Sequence, residues 1–113
     1  MRLQTPNKPY APMFQRYTVR ANRGKARIWL EGGRLDWAKF TVGARFNLDP
    51  ITDDRDDSTL LRLRLADDGA RKVSGKGERP IVDLSGGSCS PFTTGDDVLI
   101  EYHPSGLVLI KGA

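Results

Sequence analysis

The chain spells out one structural unit twice, and that repetition limits its possible folds more than any other feature. The segments 26–49 (ARIWLEGGRLDWAKFTVGARFNLD) and 80–102 (PIVDLSGGSCSPFTTGDDVLIEY) run through the same features in the same order. Each has an apolar strand, a leucine (Leu30, Leu84), a glycine pair (Gly32-Gly33, Gly86-Gly87), a short spacer, Phe-Thr-x-Gly (Phe40 to Gly43, Phe92 to Gly95) and a second strand. The spacer is two residues longer in the first copy. The pattern reads as an internal duplication.

Ile28 and Leu30 alternate with Arg27, Trp29 and Glu31, the period of a half-buried strand. The glycine pair permits a sharp turn. Leu35, Ala38 and Phe40, with Trp37 beside them, then fall mostly on one side of one or two helical turns. A helix that short is held only by the sheet it packs on. Gly43 and Gly95 fit a tight turn into the next strand, where Phe46 and Leu48 alternate with Arg45, Asn47 and Asp49. One copy buries little; two together are expected to close a barrel.

A strand, a small-residue turn, a short helix ending in Phe-x-x-Gly and a closing hairpin that ends Gly106-Leu-Val-Leu-Ile-Lys-Gly112 resemble the swapped-hairpin barrel of the AbrB, MazE and SpoVT group. The SymE-like branch is the nearest in flavour: Leu30, Gly32, Leu35 and Phe40 echo its Leu-x-Gly-x-x-Leu motif and the phenylalanine before its turn. In that family two chains interlock their hairpins, and the barrel binds DNA or serves as an antitoxin. The resemblance, which runs from about residue 25 to the C-terminus, implies a covalent pseudo-dimer, monomeric or weakly self-associating. Two departures stand out: Ser88 to Pro91 replaces the helix in the second copy, and an acidic insertion interrupts the first hairpin.

The expected fold is therefore mainly β. It is a small single-domain, swapped-hairpin-like β-barrel over residues 14–113, built from tandem copies (about 25–73 and 79–113) with one or two short helices. An extended, proline-punctuated arm, 1–13, precedes it.

Charge is distributed unevenly along the chain. Residues 1–48 hold ten Lys and Arg against two acids, a net of +8, and residues 49–113 hold eight against twelve, a net of −4, which together make the formal +4. A basic first half suggests a polyanion partner; alternatively the barrel mixes the halves and the charge only keeps it soluble. Arg16, Arg20, Arg23, Lys25, Arg27, Arg34 and Lys39 are the candidate nucleic-acid contacts, mainly to phosphate. Tyr10, Phe14 and Tyr17 interleave with the first of these; Phe14 and Tyr17 are read as core, and the arginines around the turn at Ala21 to Gly24 as phosphate contacts.

Asp53, Asp54, Asp56 and Asp57 form a solvated acidic loop that lacks the glycine and glutamate of a calcium loop. Thr59 to Leu65 is a strand with Leu61, Leu63 and Leu65 inward. Asp68-Gly69 is a hairpin turn before Ala70 to Val73, and Ser74 to Glu78 a flexible link without the frame of a phosphate loop. The second copy ends in a hairpin around His103 to Gly106.

Neither catalysis, a metal nor a cofactor is expected. His103 is the only histidine, and Cys89 is the only cysteine, a small residue in a turn rather than an activated thiol. No membrane span or signal peptide is read, which with the lone thiol suggests a cytoplasmic protein. Three functions follow: a DNA-binding transcriptional regulator; a phage or mobile-element protein that binds and inhibits a host protein; and a single-strand binder, favoured if Tyr10, Phe14 or Trp29 is exposed.

Overall fold

A computed structural model describes residues 11–113. Its elements are β1 (Met13–Thr18), β2 (Arg20–Asn22), β3 (Lys25–Glu31), α1 (Gly33–Trp37), β4 (Arg45–Thr52), β5 (Thr59–Leu65), β6 (Arg71–Lys72), β7 (Ser74–Lys76), β8 (Arg79–Ser85), a 3-10 turn (Gly86–Cys89), β9 (Asp97–His103) and β10 (Leu107–Gly112). The expectation of a mainly β chain with short helical pieces holds.

The strands form two antiparallel sheets, one of six strands in the order β1-β9-β10-β5-β4-β6 and one of four in the order β2-β3-β8-β7. Among the described residues the strands do not close into the expected barrel. The physical reason lies at Val19 and Val73, where the chain steps from the larger sheet to the smaller. Val19 donates to Asp96 O (2.8 Å) and accepts from Gly95 N (2.9 Å), while Val73 donates to Ala44 O (2.8 Å) and accepts from Gly43 N (2.9 Å). At each corner the backbone is thus satisfied by a loop, so the ladder breaks there instead of continuing round a barrel. The core lies between the sheets. Ile28, Leu30, Val82 and Leu84 come from the smaller one; Phe46, Leu61, Leu63, Val98, Ile100, Val108 and Ile110 come from the larger. Burial of this apolar area is the main stabilising term.

The pairing obeys a two-fold relation between the copies. Leu30 and Leu84 are counterparts; Leu30 pairs with Val82 and Leu84 with Ile28, so Trp29 pairs with Asp83, its own counterpart. In the larger sheet, Phe46 pairs with Leu65 and Val98 with Gly112, which makes Arg62 and Leu109 counterparts, and these also pair with each other. The same axis therefore runs through both sheets. The copies interlock along it: the β9–β10 hairpin lies between β1 and β5, and α1 lies against β8 and β9.

The pairing also sets the extent of each copy. β6 pairs with β4 as β1 pairs with β9, and β7 pairs with β8 as β2 pairs with β3. The repeat thus begins at β1 in the first copy and at β6 in the second, upstream of the Ile28 and Val82 strands that reveal it in the sequence. Ser74 to Glu78 is accordingly a strand and hairpin turn rather than a flexible link. The turn ending at Gly69 does not fold β6 back along β5; it carries the chain across to β4. A Cβ at Gly69 would lie 2.5 Å from the Phe46 backbone nitrogen, so the crossing needs glycine.

Phe14 is not core: it is 51% exposed, whereas Tyr17 packs against the core as expected. The two lie three positions apart on one strand, and alternation places them on opposite faces. Met13 belongs to β1 rather than to the arm, and the rest of the arm through Tyr10 lies outside the described residues.

Candidate nucleic-acid interface

The four-stranded sheet has one buried face and one open to solvent. Ile28, Leu30, Val82 and Leu84 point into the core, so Arg27, Trp29, Glu31 and Asp83 point out. Directly paired residues share a face. Arg20 pairs with Arg27 and Asn22 with Lys25 at one side; Ser74 pairs with Ile81 and Lys76 with Arg79 at the other. The outer face therefore gathers Arg20, Lys25, Arg27, Lys76 and Arg79 around Trp29. At the β2–β3 tip, Arg23 (φ 54°) and Gly24 (φ 78°) hold the left-handed pair of a tight hairpin turn, which projects the Arg23 side chain into solvent.

The centre of this face is internally neutralised. Arg27 grips Asp83 through Nε (2.9 Å to Oδ1) and an η nitrogen (3.0 Å to Oδ2), with its guanidinium 4.5 Å from the centroid of the Trp29 ring. Glu31 accepts from Trp29 Nε1 at 2.9 Å and from Arg79 Nε at 2.8 Å. Those bonds, from Arg79 first and Trp29 second, hold its carboxyl below the usual range. Asp83 bonding drives the Arg27 guanidinium in the opposite direction, above its ordinary value.

The periphery is different. Among the described residues, Arg20, Arg23, Lys25 and Lys76 form no ion pair. Arg79 and Lys25 are counterparts in the repeat, and each lies beside a positive-φ glycine of the other copy. The Arg79 guanidinium is 2.9 Å from where a Cβ would stand on Gly32 (φ 93°), and Lys25 Cδ is 3.7 Å from that point on Gly86 (φ 60°). A side chain on Gly32 would push the Arg79 guanidinium aside, whereas one on Gly86 would meet Lys25 at ordinary contact distance.

Of the seven candidate contacts, Arg20, Arg23, Lys25 and Arg27 come together here, Arg27 already engaged. Arg34 sits on α1 and Lys39 just beyond it, with a left-handed φ of 71°. Arg16 is separated from the rest: it lies on β1 opposite Leu99, on the larger sheet. Lys76 and Arg79 escaped the sequence reading, which looked only to the basic first half. The repeat itself held the signal, since Arg79 is the counterpart of Lys25. Interlocking places strands of both halves in each sheet, so the basic and acidic halves of the chain are not halves in space.

Other candidate chemistry resolves plainly. Cys89 is fully buried, its thiol donates to Leu84 O at 3.2 Å, and burial pushes its pKa up. Asp53 is engaged by Arg55 and Asp56 by Ser58. Among the described residues no cluster of His, Cys, Asp and Glu has the makings of a metal site, and no helix is long and apolar enough to cross a membrane. In comparisons with protein families, curated proteins and solved structures, the chain matches no family model, no curated protein and no solved structure.

Proposed function

We propose that this protein binds duplex DNA through the outer face of its four-stranded sheet and acts as a small transcriptional regulator. The observation that carries the reading is the rim of four cations, Arg20, Arg23, Lys25 and Lys76, that form no ion pair among the described residues. Cations spread along both edges of one sheet face can meet phosphates on both strands of a duplex. The interlocked hairpins of two copies are also what the AbrB, MazE and SpoVT resemblance leads one to expect, here within one chain.

The Arg27 guanidinium covers one face of Trp29, which works against base stacking there, while Phe14, 51% exposed, keeps the single-strand reading as the second arm of the test. A protein-binding role keeps one support: Phe14, 51% exposed, and Met13, 39% exposed, lie together on the edge strand β1.

The test is a titration of labelled random duplex, and of a single strand of equal length, at several salt concentrations. Four to five phosphate contacts predict a slope of log K against log salt of about −4 for the duplex. A salt-independent signal, or none, sinks the reading and shifts attention to the β1 edge.

A further inference from the structure

The repeat is broken at one place in a way that opens a cavity. Near Tyr102, the first copy's α1 lies against β9, and Tyr102 is only 1% exposed with its hydroxyl 2.6 Å from Gln15 Oε1. Tyr17 pairs with Val98, four residues along β9 from Tyr102, and its hydroxyl accepts from the Trp29 amide at 3.0 Å. The two-fold axis carries Tyr102 onto Pro50 and Tyr17 onto Arg71. It also carries Arg34 onto Ser88, where a 3-10 turn replaces the longer α1 segment. Two rings and part of a helix are thereby missing from the second site, and a cavity of about 720 Å³ remains between the 3-10 turn and the β4–β5 hairpin.

Its lining mixes two chemistries: Arg71, Ser85, Ser88 and Ser90 bring polar groups, and Leu48, Pro50, Leu61 and Pro91 bring apolar surface. An Arg71 η nitrogen donates to Ser88 Oγ at 2.8 Å, which ties the guanidinium to the 3-10 turn. Among the described residues no carboxylate pairs with Arg71. A half-buried guanidinium next to several hydroxyls, with no anion of its own, suits an oxyanion that accepts from many directions. The volume lies within the ordinary range of small-molecule sites, and the apolar residues in the lining suit a ring.

We propose that this cavity binds a small phosphate monoester with a ring-bearing body, of the nucleoside monophosphate class. Arg71 and Pro50 belong to the larger sheet, and the cavity borders the DNA-binding face at Ser85, which pairs with Arg27.

The test titrates adenosine 5′-monophosphate into the isotope-labelled protein while backbone amide resonances are followed, with adenosine and inorganic phosphate as parallel arms. The expected result is saturable shifts at Gly87, Ser88 and Thr59, with the nucleotide binding more tightly than either fragment. Arg71→Met is expected to weaken binding about tenfold or more, the value of one lost charge-assisted hydrogen bond. Pro50→Tyr restores the ring found at the counterpart position; it should abolish binding with the fold and the duplex affinity retained. Because it fills a void instead of emptying one, it separates loss of the site from loss of the fold. Shifts confined to Lys25, Lys76 and Arg79, no shifts at all, or equal affinity for the nucleotide and either fragment would overturn the proposal.

Discussion

Arg27 bridges the two-fold axis: its guanidinium grips Asp83 at 2.9 and 3.0 Å while lying over Trp29, the residue for which Asp83 is the counterpart. A two-fold position cannot hold identical Trp and Asp at once, so divergence of the copies has turned the centre of the outer face into a compact, neutral cluster. Positive charge free to meet a polyanion is left at the rim.

That division leads to a contrast between two variants. Lys25→Ala with Lys76→Ala is expected to flatten the salt dependence of duplex binding by about two units of slope, whereas Arg27→Ala changes it little. The melting temperature of the double variant should barely move, because neither lysine forms an ion pair among the described residues. Fluorescence anisotropy over a salt series measures the slopes; equal slopes for both variants would remove the rim from the account.

Gly69→Ala tests the crossing between the copies. Its added methyl group meets the Phe46 backbone, which has no rotamer to yield. Urea unfolding should show a loss of about 1–3 kcal/mol, the usual cost of overpacking. A variant as stable as the parent would mean the crossing has slack that the distances do not suggest.

Cys89 should resist thiol reagents in the native protein and react fully once it is unfolded. Both its complete burial and its raised pKa deplete the accessible thiolate. Stoichiometric labelling without denaturant is the contrary outcome.

Glu101 links stability to acid pH. Burial raises its pKa, but bonds to His103 (2.6 Å) and Lys111 (3.0 Å) outweigh that and leave it below the ordinary 4.5. A carboxyl with a depressed folded pKa stabilises fully above its unfolded value, and the contribution disappears as pH falls through the folded one. Glu101→Gln should therefore be less stable than the parent near neutrality, with the gap closing below about pH 4.5. Denaturant melts across that range decide it, and a gap independent of pH would assign the difference to packing.

The interlocked copies predict a monomer. Sedimentation at low micromolar concentration should return the 12.5 kDa chain mass. An obligate dimer would mean that the internal pairing of β3 with β8 and of β5 with β10 does not by itself satisfy the fold.

Much of the architecture was legible along the chain because it rests on local periodicity. Thr59–Leu65 and the β9–β10 hairpin follow their alternation, and Leu35, Ala38 and Phe40 are fully buried, as their spacing requires. Phe14 misled because it is aromatic and sits on a strand, yet only its parity relative to Tyr17 says which way it faces. β7 was missed because a three-residue strand carries no period, and β6 was assigned the wrong partner because a turn at Gly69 does not say which strand the chain reaches.

By itself, then, the sequence determined the mainly β character, because alternation depends on neighbours within a few residues, and the duplication, because the two segments repeat the same features in the same order. The tertiary structure decided the rest. Whether the sheets close, which cations share a face, which of them Asp83 and Glu31 neutralise, and where lost tyrosines leave a cavity all depend on contacts between copies. Those contacts join residues some fifty or more apart, such as Arg27 and Asp83 (separation 56), and a two-fold axis between segments leaves no mark on the periodicity of either one.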